Sequence, residues 1–500
     1  MASTDASRSS LPASRKFVIA ILLAGAVLRI VSFFLSENAG GDALSRAYQT
    51  ARWLQHPTLD LHFDVWLPIH FWLMAVPSII VGDVELGSRL LSLVLGILSV
   101  GLVWLLTREL DARGSAVFST IIFALYSLHI AYSSTSSSDV PYIFFLLGGL
   151  ALFFRARNTE EISPLFSGGI SLTLGAGMRY EAWIFIAALN AILLFRRRIK
   201  SLAFFLVTSG AFPVFWMIYE WITRGHPLYS PKLNYSWVAN DLNFYGTSLT
   251  YRLLLPPGVI FITLTPIAIL GAVLALRHVW RKKGLLMEFF FVAVFFTAVQ
   301  FYQIAAGGTM SYARYTLTLG TMVAVLAGIG LYHSFPKWAG VVAALMLVNV
   351  VGLFLLATVN NPYVNKIRSV APVLHFTTYL EETGKYLKDN LKDNDALVLD
   401  EFNYETNQIA AVAGMPLLGS ERVFVIPDRT DPEKQKKKLA ELAPYLHTRR
   451  PAYLVYGLEG ELRQVLAFPP ECSSKQVEDM KFVCVFHNDH YQIYRIEYPN

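Results

Sequence analysis

A series of apolar stretches, each close to 20 residues long, dominates the sequence. A hydrocarbon core about 30 Å thick requires helices of that length, because only helices and closed barrels satisfy their own backbone hydrogen bonds in lipid. Hydrophobic residues make up 54% of the 500 residues, charged residues 16%, and the mean hydropathy is +0.45. The chain is therefore predicted to be a polytopic α-helical membrane protein. The stretches lie at 17–35, 87–107, 114–133, 140–155, 202–222, 257–276, 286–306, 315–333 and 338–358.

Two further apolar regions do not fit a single crossing. Residues 164–195 would form one helix of about 48 Å, too long for one span, and the triplet 179–181 interrupts them. We predict two short crossings with this triplet at the turn. Residues 66–82 are apolar, but they form a shorter run that contains two prolines.

Charge asymmetry indicates whether 66–82 crosses. Basic residues cluster between the apolar stretches, at 108–113, 155–157, 196–200 and 277–283. All of these clusters face the cytoplasm if the N-terminus is inside and 66–82 is a surface or re-entrant segment, which agrees with the positive-inside tendency. We therefore predict about 11 spans, with residues 36–86 as a large first external loop that dips into the membrane. Backbone at that depth implies a cavity near the outer face.

The two ends of the chain differ in character. Residues 1–16 are predicted to be a cytoplasmic tail, and the span at 17–35 an uncleaved signal anchor that opens a membrane domain over 17–360. From 361 to 500 the composition is polar, and helix and strand patterns alternate, which predicts a small extracytoplasmic α/β domain. Its cysteines, Cys472 and Cys484, form either a disulfide or two free thiols.

Several classes of ligand are disfavoured by composition. The net charge is only +6, and no basic stripe with interleaved aromatic residues suggests a nucleic acid. The C-terminal region contains no glycine-rich phosphate loop or nucleotide fingerprint, which argues against ATP or a nucleotide-sugar donor.

Gly40-Gly41-Asp42 follows the first span. Two interpretations of Asp42 are open, and they are compatible. Its carboxylate caps the helix that follows, or the two glycines leave it accessible to a reacting group. After Asp42, apolar residues recur at helical spacing, which predicts an amphipathic helix on the membrane surface. These residues are Leu44, Ala47, Tyr48, Ala51 and Leu54.

Ionisable groups gather on the predicted external face, where residues at membrane depth are usually functional. Arg179, Glu181 and Arg314 are the strongest candidates because each abuts apolar sequence. Structural roles are the alternative to substrate binding: Arg179 and Glu181 neutralise one another, or Arg314 pairs with Glu181. The remaining polar candidates, which form either a metal site or a solvated loop, are Asp60, His62 and Asp64. Aromatic residues in the loop 223–256 either stack on sugar rings or form an interfacial belt.

The order of these features resembles the multi-span glycosyltransferases of the GT-C fold. It consists of the first span, Gly-Gly-Asp42, the element Trp66-Leu-Pro-Ile-His-Phe-Trp72, and Gly87-Ser-Arg89-Leu-Leu-Ser, which leads into a span ending Leu106-Thr-Arg-Glu-Leu110. The fold includes protein O-mannosyltransferases, the lipid A aminoarabinose transferase and, more distantly, the catalytic subunit of oligosaccharyltransferase. The resemblance implies an inverting enzyme that transfers a sugar from a polyprenyl-phosphate-type carrier to a lipid, glycan or protein acceptor on the extracytoplasmic side.

The resemblance also implies roles for individual residues. Asp42 matches the acidic residue of the first external loop and would be the catalytic base or a carboxylate that orients the acceptor. Asp64 lies where some members have a second acidic group. Tyr312-Ala-Arg314-Tyr315 resembles the late loop whose arginine holds the carrier phosphate, with Arg179 as a second phosphate ligand. The other expected substrate-binding residues are Glu181, Tyr312 and His62.

A divalent metal, Mg²⁺ or Mn²⁺, is a further expectation from the same resemblance. Ser133-Ser-Thr-Ser-Ser-Ser-Asp139 resembles the acidic motif of the second loop, and Asp42 and Asp139 would be the ligands. The sequence departs from the family here, because Val140 and Pro141 follow Asp139 with no second carboxylate nearby. Metal dependence therefore stays open.

The chemistry is consistent with this assignment. A departing lipid phosphate requires a cation at its oxygen, and the arginine fork suits phosphate. An acceptor hydroxyl is a poor nucleophile that a positioned carboxylate activates. The alternative function is a transporter or flippase of a lipid-linked or anionic substrate, but such proteins tend to have internal repeats, and none is evident here. The expected location is a bacterial plasma membrane.

Overall fold

A computed structural model describes most of the chain. The described residues are 15–40, 42–58, 60–61, 63, 65–244, 247–282, 284–359, 368–392, 395–400, 405–414, 423–426, 432–458, 462, 466, 468–469 and 471–499. The chain forms two compact units. The membrane unit comprises Met1–Gly40 and Thr58–Leu374, and the C-terminal unit comprises Gly41–Pro57 and His375–Asn500.

Helices account for nearly all of the membrane unit. In chain order, with the single helix of the C-terminal unit that interrupts them, they are α1 (Arg15–Leu35), α2 (Ala43–Gln55, in the C-terminal unit), α3 (Ile69–Val81), α4 (Val84–Leu110), α5 (Arg113–Ala124), α6 (Ser127–Tyr132), α7 (Asp139–Thr159), α8 (Ile162–Ala176), α9 (Glu181–Phe195), α10 (Ile199–Arg224), α11 (Tyr229–Phe244), α12 (Leu249–Lys282), α13 (Leu285–Ala305), α14 (Leu317–Ser334) and α15 (Ala339–Ala357). A short 3₁₀ turn, Ala313–Thr316, precedes α14.

The helices confirm the predicted class of integral membrane protein. Within the described part of the chain, 8 helices are long and apolar enough to cross a membrane, and α3, α5, α8 and α9 are shorter apolar helices. The region 164–195 is divided as predicted, since α8 ends before the turn at 177–180 and α9 begins after it. The count of about 11 spans stays a prediction.

Helix α3 lies within 66–82, the segment predicted not to cross the membrane. Its 13 residues extend about 20 Å, well short of the hydrocarbon thickness. Phe71 and Met74 on one side are fully buried, whereas Ile79 and Ile80 near its end are 68% and 79% exposed. One side therefore packs on protein while the other is left for lipid.

Two predicted spans are broken, each for an identifiable reason. The stretch 114–133 divides into α5 and α6, and Arg29 of α1 donates to the carbonyls of Phe123 and Ala124 at the break (3.4 and 3.1 Å). A buried side chain thus satisfies carbonyls that the ended helix leaves open. Helix α12 is interrupted at Thr265, whose φ of 66° lies in the left-handed region, and Pro266 follows it.

Small residues bring the helices together. A Cβ added at Gly330 of α14 would collide with the backbone of Gly271 in α12, and one at Gly328 would collide with Ser119 of α5. Lipid supplies no hydrophobic drive between helices, so close backbone approach of this kind stabilises their packing. Helix α14 is thereby held between α12 and α5.

The C-terminal unit contains a six-stranded mixed sheet. Its strands are β1 (Leu397–Asp400), β2 (Val423–Ile426), β3 (Tyr453–Gly457), β4 (Lys475–Val477), β5 (Met480–His487) and β6 (Tyr491–Glu497), and its remaining helices are α16 (Thr378–Asn390), α17 (Glu405–Val412) and α18 (Pro432–Arg449). The order is β2-β1-β3-β6-β5-β4. Strands β2, β1 and β3 are parallel to one another. The neighbours β3 and β6, β6 and β5, and β5 and β4 are antiparallel.

Alternation along the strands places apolar side chains on both faces of this sheet. Val398 packs with Leu442 and Leu446 of α18 on one face. Leu397 packs with Leu387 of α16 and Ile409 of α17 on the other. Residues two apart point to the same face, so each buried strand contributes to two cores. The predicted α/β character of this region is confirmed.

Helix α2 is amphipathic as predicted, and it belongs to the C-terminal unit. Asn407 donates to the Ser45 hydroxyl (2.6 Å), and the Tyr48 hydroxyl donates to the Asn407 carbonyl (3.4 Å). Leu44 and Ala47 are 2% and 1% exposed. The apolar side expected on a membrane surface is therefore covered by protein.

Cys472 and Cys484 form a disulfide, which decides between the two alternatives left open by the sequence. Their Cα atoms are 5.4 Å apart, and 12 positions separate them in sequence. The bridge ties the segment before β4 to β5. Such bonds persist in oxidising compartments.

We predict that the double variant Cys472→Ser/Cys484→Ser destabilises the C-terminal unit. Closing a loop of this length removes chain entropy worth about 3 kcal/mol from the unfolded state. Pulse proteolysis of the purified protein in detergent, with denaturant titrated in, measures the loss. Reduced wild type is the matched control. Labelling of both thiols in unreduced, denatured wild type would contradict the bridge.

Candidate functional site

Arg179 occupies the turn between α8 and α9 and is held by two carboxylates. Its Nη1 donates to Asp139 Oδ1 (2.7 Å), and its Nη2 and Nε donate to Glu181 Oε1 (2.6 and 3.1 Å). The side chains of Arg179 and Asp139 are 11% and 3% exposed, whereas Glu181 is 25% exposed. Charge-assisted contacts at this burial are strong. The predicted neutralisation of Arg179 by Glu181 is present, and Asp139 adds a second carboxylate.

Asp139 is fixed by the loop that precedes it. All of 133–138 is buried. Asn38 donates to the Ser136 hydroxyl (2.9 Å) and accepts from its amide (2.8 Å), and Arg89 donates to the Ser134 carbonyl (2.7 Å). Asp139 then begins α7, where a carboxylate interacts favourably with the helix dipole. The serine-rich motif is thus a rigid platform for one carboxylate.

Arg314 joins this cluster from the 3₁₀ turn before α14. It is 8% exposed, and its Nη2 donates to the Tyr315 hydroxyl (3.3 Å). Its guanidinium carbon lies 5.1 Å from the Tyr315 ring centre, and that of Arg179 lies 5.5 Å from the same ring. Arg314 also interacts electrostatically with Glu181. The structure therefore brings together Asp139, Arg179, Glu181 and Arg314, which we call the arginine–carboxylate cluster.

Tyr142 and Tyr315 are site residues that the sequence reasoning missed. Tyr142 is 1% exposed and interacts electrostatically with Asp139 and Glu181. The spacing of three residues from Asp139 places Tyr142 on the same side of α7, a signal that was available in the sequence. Tyr312 stacks on Tyr315, with ring centres 6.4 Å apart.

Glu220 is a third missed residue. It lies one turn before the end of α10, is fully buried, and accepts from the Ser230 amide (3.0 Å) in the first turn of α11. A carboxylate at a helix N-terminus satisfies an otherwise open amide. Its carboxylate also interacts with Tyr180, the neighbour of Arg179. A glutamate within an apolar helix is itself a signal.

Asp42 belongs to the C-terminal unit, at the N-cap position of α2. Its Oδ2 accepts from Arg46 Nε (2.6 Å), and the two side chains are 8% and 6% exposed. Within 42–58, the side chain makes no capping hydrogen bond to the first turn. Gly40 has φ of 117°, and a Cβ there would lie 3.3 Å from Tyr132, so the entry to this segment requires glycine.

Three predicted residues of the first loop remain, and the structure describes one of them. His62 and Asp64 lie outside the described residues. Asp60 is exposed, and the Tyr219 hydroxyl donates to its Oδ1 (3.4 Å) while accepting from the Leu61 amide (3.0 Å). The first loop is thus attached to α10 at this point.

Metal-capable groups occur at two places within the described residues. One is Asp111, His278 and His333, and the other is His447, Glu478 and Asp479. Neither group contains Asp42 or Asp139. Asp139 keeps one oxygen, Oδ2, that has no hydrogen-bond partner among the described residues.

A family profile described as dolichyl-phosphate-mannose-protein mannosyltransferase matches residues 56–221. An uncharacterized protein of Aquifex aeolicus (strain VF5) is 24% identical over 170 residues, which cover 31% of this chain and 33% of that protein. The match therefore spans about a third of that relative's length.

Two solved structures align along most of the chain. ArnT from Cupriavidus metallidurans bound to undecaprenyl phosphate has a TM-score of 0.65 at 12% identity, over 96% of this chain and 98% of that one. The oligosaccharyltransferase AglB from Archaeoglobus fulgidus, in complex with an inhibitory peptide and a dolichol-phosphate, has a TM-score of 0.52 at 12% identity, over 90% and 70%. At such identities the likeness shows the fold. This confirms the predicted resemblance: the chain has the GT-C fold of the multi-span glycosyltransferases.

Proposed function

We propose that this protein is a membrane glycosyltransferase that moves a sugar from a polyprenyl-phosphate-type carrier to an acceptor on the extracytoplasmic side. The observation that carries the proposal is the arginine–carboxylate cluster, with two guanidinium groups on one tyrosine at the ends of membrane helices. Structures of the same fold have been solved with undecaprenyl phosphate and dolichol-phosphate bound. Two neighbouring guanidinium groups support the proposal of a site for a lipid phosphate.

Arg314 is the principal phosphate ligand in this proposal. A guanidinium has five donors, which allows it to keep Tyr315 and still bind two phosphate oxygens. Arg179 has Nε, Nη1 and Nη2 directed at carboxylates. Arg179 therefore acts mainly by fixing Asp139 and Glu181 and by placing positive charge beside Tyr315. In this proposal Arg314 is the main phosphate ligand, and Arg179 is a second, weaker one.

Glu181 is the proposed contact for the sugar. It is more exposed than Asp139, the other carboxylate that binds Arg179. A carboxylate accepts hydrogen bonds from hydroxyl groups. Tyr312, which is 42% exposed, offers an aromatic face in the same turn region. His62 and Asp64 are retained as proposed members of the first loop.

Asp42 is the proposed base. Its carboxylate oxygen would accept the proton of the acceptor hydroxyl as the new oxygen–carbon bond forms at the anomeric centre. The bond from that carbon to the phosphate oxygen breaks on the opposite side, which inverts the configuration, and the electron pair stays on the lipid phosphate. Arg314 stabilises that charge. Arg46 Nε donates to Asp42 Oδ2 and so fixes the orientation of the carboxylate.

A divalent metal is a separate proposal, and none of these steps depends on it. Mg²⁺ or Mn²⁺ prefers oxygen ligands. Asp139 has one oxygen for such an ion, since Arg179 binds the other. Asp42 is the second proposed ligand. Sugar transfer assayed with and without a chelator tests this dependence directly.

The proposed location is a bacterial plasma membrane, with the N-terminus in the cytoplasm and the C-terminal unit outside. Two observations support the orientation. The basic clusters between the helices then face inward, and the disulfide then lies in an oxidising compartment.

We predict that Arg314→Ala lowers sugar transfer from purified polyprenyl-phosphate sugars by about 10²–10³-fold, because charge on the leaving phosphate loses its main donor. Initial rates in detergent with a panel of such carriers measure the effect. Arg224→Ala is the matched control, since Arg224 is an exposed arginine at the end of α10. Equal rates for Arg314→Ala and wild type would contradict the phosphate assignment.

We predict that Asp42→Asn lowers the transfer rate by about 10²–10⁴-fold while carrier binding is retained, because an amide cannot take the acceptor proton. Rates and carrier affinity are measured on the same preparation. Asp60→Asn, a change of an exposed carboxylate in the first loop, is expected to stay near wild type. A carrier that Asp42→Asn still uses at the wild-type rate would refute the base assignment.

We predict that Arg179→Met destabilises the membrane unit by about 3–5 kcal/mol, because two carboxylates then lose their counter-charge. Thermal unfolding in detergent measures the change. The triple variant Arg179→Met/Asp139→Asn/Glu181→Gln removes the unpaired charges and should recover most of the stability. A triple variant no more stable than Arg179→Met would show that the ion network does not govern the fold here.

A further inference from the structure

A second polar cluster lies far from the arginine–carboxylate cluster. Asp111 lies in the connection between α4 and α5, His278 one turn before the end of α12, and His333 at the end of α14. Arg314 lies just before the start of α14, so the length of that helix, about 27 Å, separates the two clusters. The second cluster therefore lies at the opposite ends of the helices.

Three potential metal ligands lie close together in this cluster. Asp111 Oδ2 is 2.7 Å from His333 Nε2, and Asp111 Oδ1 is 3.4 Å from His278 Nε2. The three ligand atoms all lie within 4.8 Å of one another. Around a four-coordinate Zn²⁺ with ligands at about 2.0–2.2 Å, the ligand atoms are about 3.4 Å apart. The distance from Asp111 to His278 fits this geometry, and the distance from Asp111 to His333 would lengthen on binding.

One of these ligand atoms is only weakly satisfied. His278 Nε2 is buried, and its contact within the described part of the chain is the Asp111 Oδ1 atom at 3.4 Å, which is long for a hydrogen bond. Buried polar atoms are usually well hydrogen-bonded. A bound cation would give this nitrogen a stronger partner.

The environment allows a metal to enter. The Asp111 side chain is 1% exposed, but the two imidazoles are 22% and 26% exposed, so they border on solvent. Ser115 Oγ donates to Asp111 Oδ2 (2.5 Å) and orients the carboxylate from behind. Partners of this kind around metal ligands fix the ligand geometry.

We propose that Asp111, His278 and His333 form a binding site for a divalent transition metal, with Zn²⁺ as the best fit. Two imidazoles and one carboxylate suit Zn²⁺, whereas Mg²⁺ requires oxygen ligands. The ion would link the α4–α5 connection to the ends of α12 and α14. This role is structural and is independent of the proposed sugar transfer.

Two local changes accompany binding. Lys282 Nζ lies 2.5 Å from Asp111 Oδ1, where the ion would bind, and it must move away. Its side chain is 46% exposed, so solvent is open to it. The two imidazoles are stacked, with centres 3.6 Å apart and planes 18° apart, and their nitrogens converge on one ion only when one ring rotates. Lys282 therefore competes with the metal.

Zinc content and affinity test the site. The protein, freed of any affinity tag and stripped with EDTA in detergent, is titrated with ZnCl₂ against a fluorescent chelator. We expect one site per chain that His278→Gln or His333→Gln weakens by at least about 100-fold, and that Ser115→Ala weakens by about tenfold. Lys282→Met should bind zinc more tightly, because the competing ammonium is gone.

His447→Gln is the matched control, since it changes the exposed histidine of the other metal-capable group. Thermal unfolding without zinc confirms that each variant is folded. Wild type that binds no zinc at this affinity, or binding lost in His447→Gln but kept in His278→Gln, would overturn the proposal. The readout is metal content, so failure here leaves the glycosyltransferase assignment untouched.

Discussion

The ion network of Arg179 with Asp139 and Glu181 is the interaction on which the membrane unit depends most. It joins the start of α7 to the turn between the end of α8 and the start of α9, so it ties three helix ends together. A buried guanidinium is tolerable only when charges and hydrogen bonds compensate it. The two carboxylates provide both. This compensation in turn permits a second guanidinium, Arg314, to share Tyr315 without unbalanced positive charge.

Most of the membrane architecture could be predicted from the sequence, because hydropathy and span length are local properties. The two breaks could not. The end of α5 depends on Arg29, which is far away in sequence and satisfies the exposed carbonyls. In α12, Pro266 gave a local signal, but it does not predict the positive φ of Thr265, whose hydroxyl lies 3.5 Å from the Met346 sulfur of α15. Breaks of this kind are determined by partners rather than by the segment itself.

The site was predictable in part, for the same reason. Arg179, Glu181 and Arg314 stood out because charges beside apolar sequence are unusual. The Arg179 guanidinium binds Asp139 as well as Glu181, and this contact depends on the tertiary structure, so residue spacing could not predict it. Helical periodicity could have predicted Tyr142, and the position of Glu220 inside an apolar helix could have predicted that residue. The pairing of Asp42 with Arg46 was also within reach, since the two are four residues apart.

Helix α14 shows how the fold separates different kinds of chemistry. Arg314 precedes its first turn and His333 lies in its last, so the ionisable groups associated with this helix lie at its two ends. Its middle is buried against α12 and α5 through glycines, which leaves little freedom to bend. A zinc ion at the His333 end would fix the same helix that positions Arg314. The helix would then carry the proposed phosphate ligand at one end and the proposed structural ion at the other, about 27 Å apart.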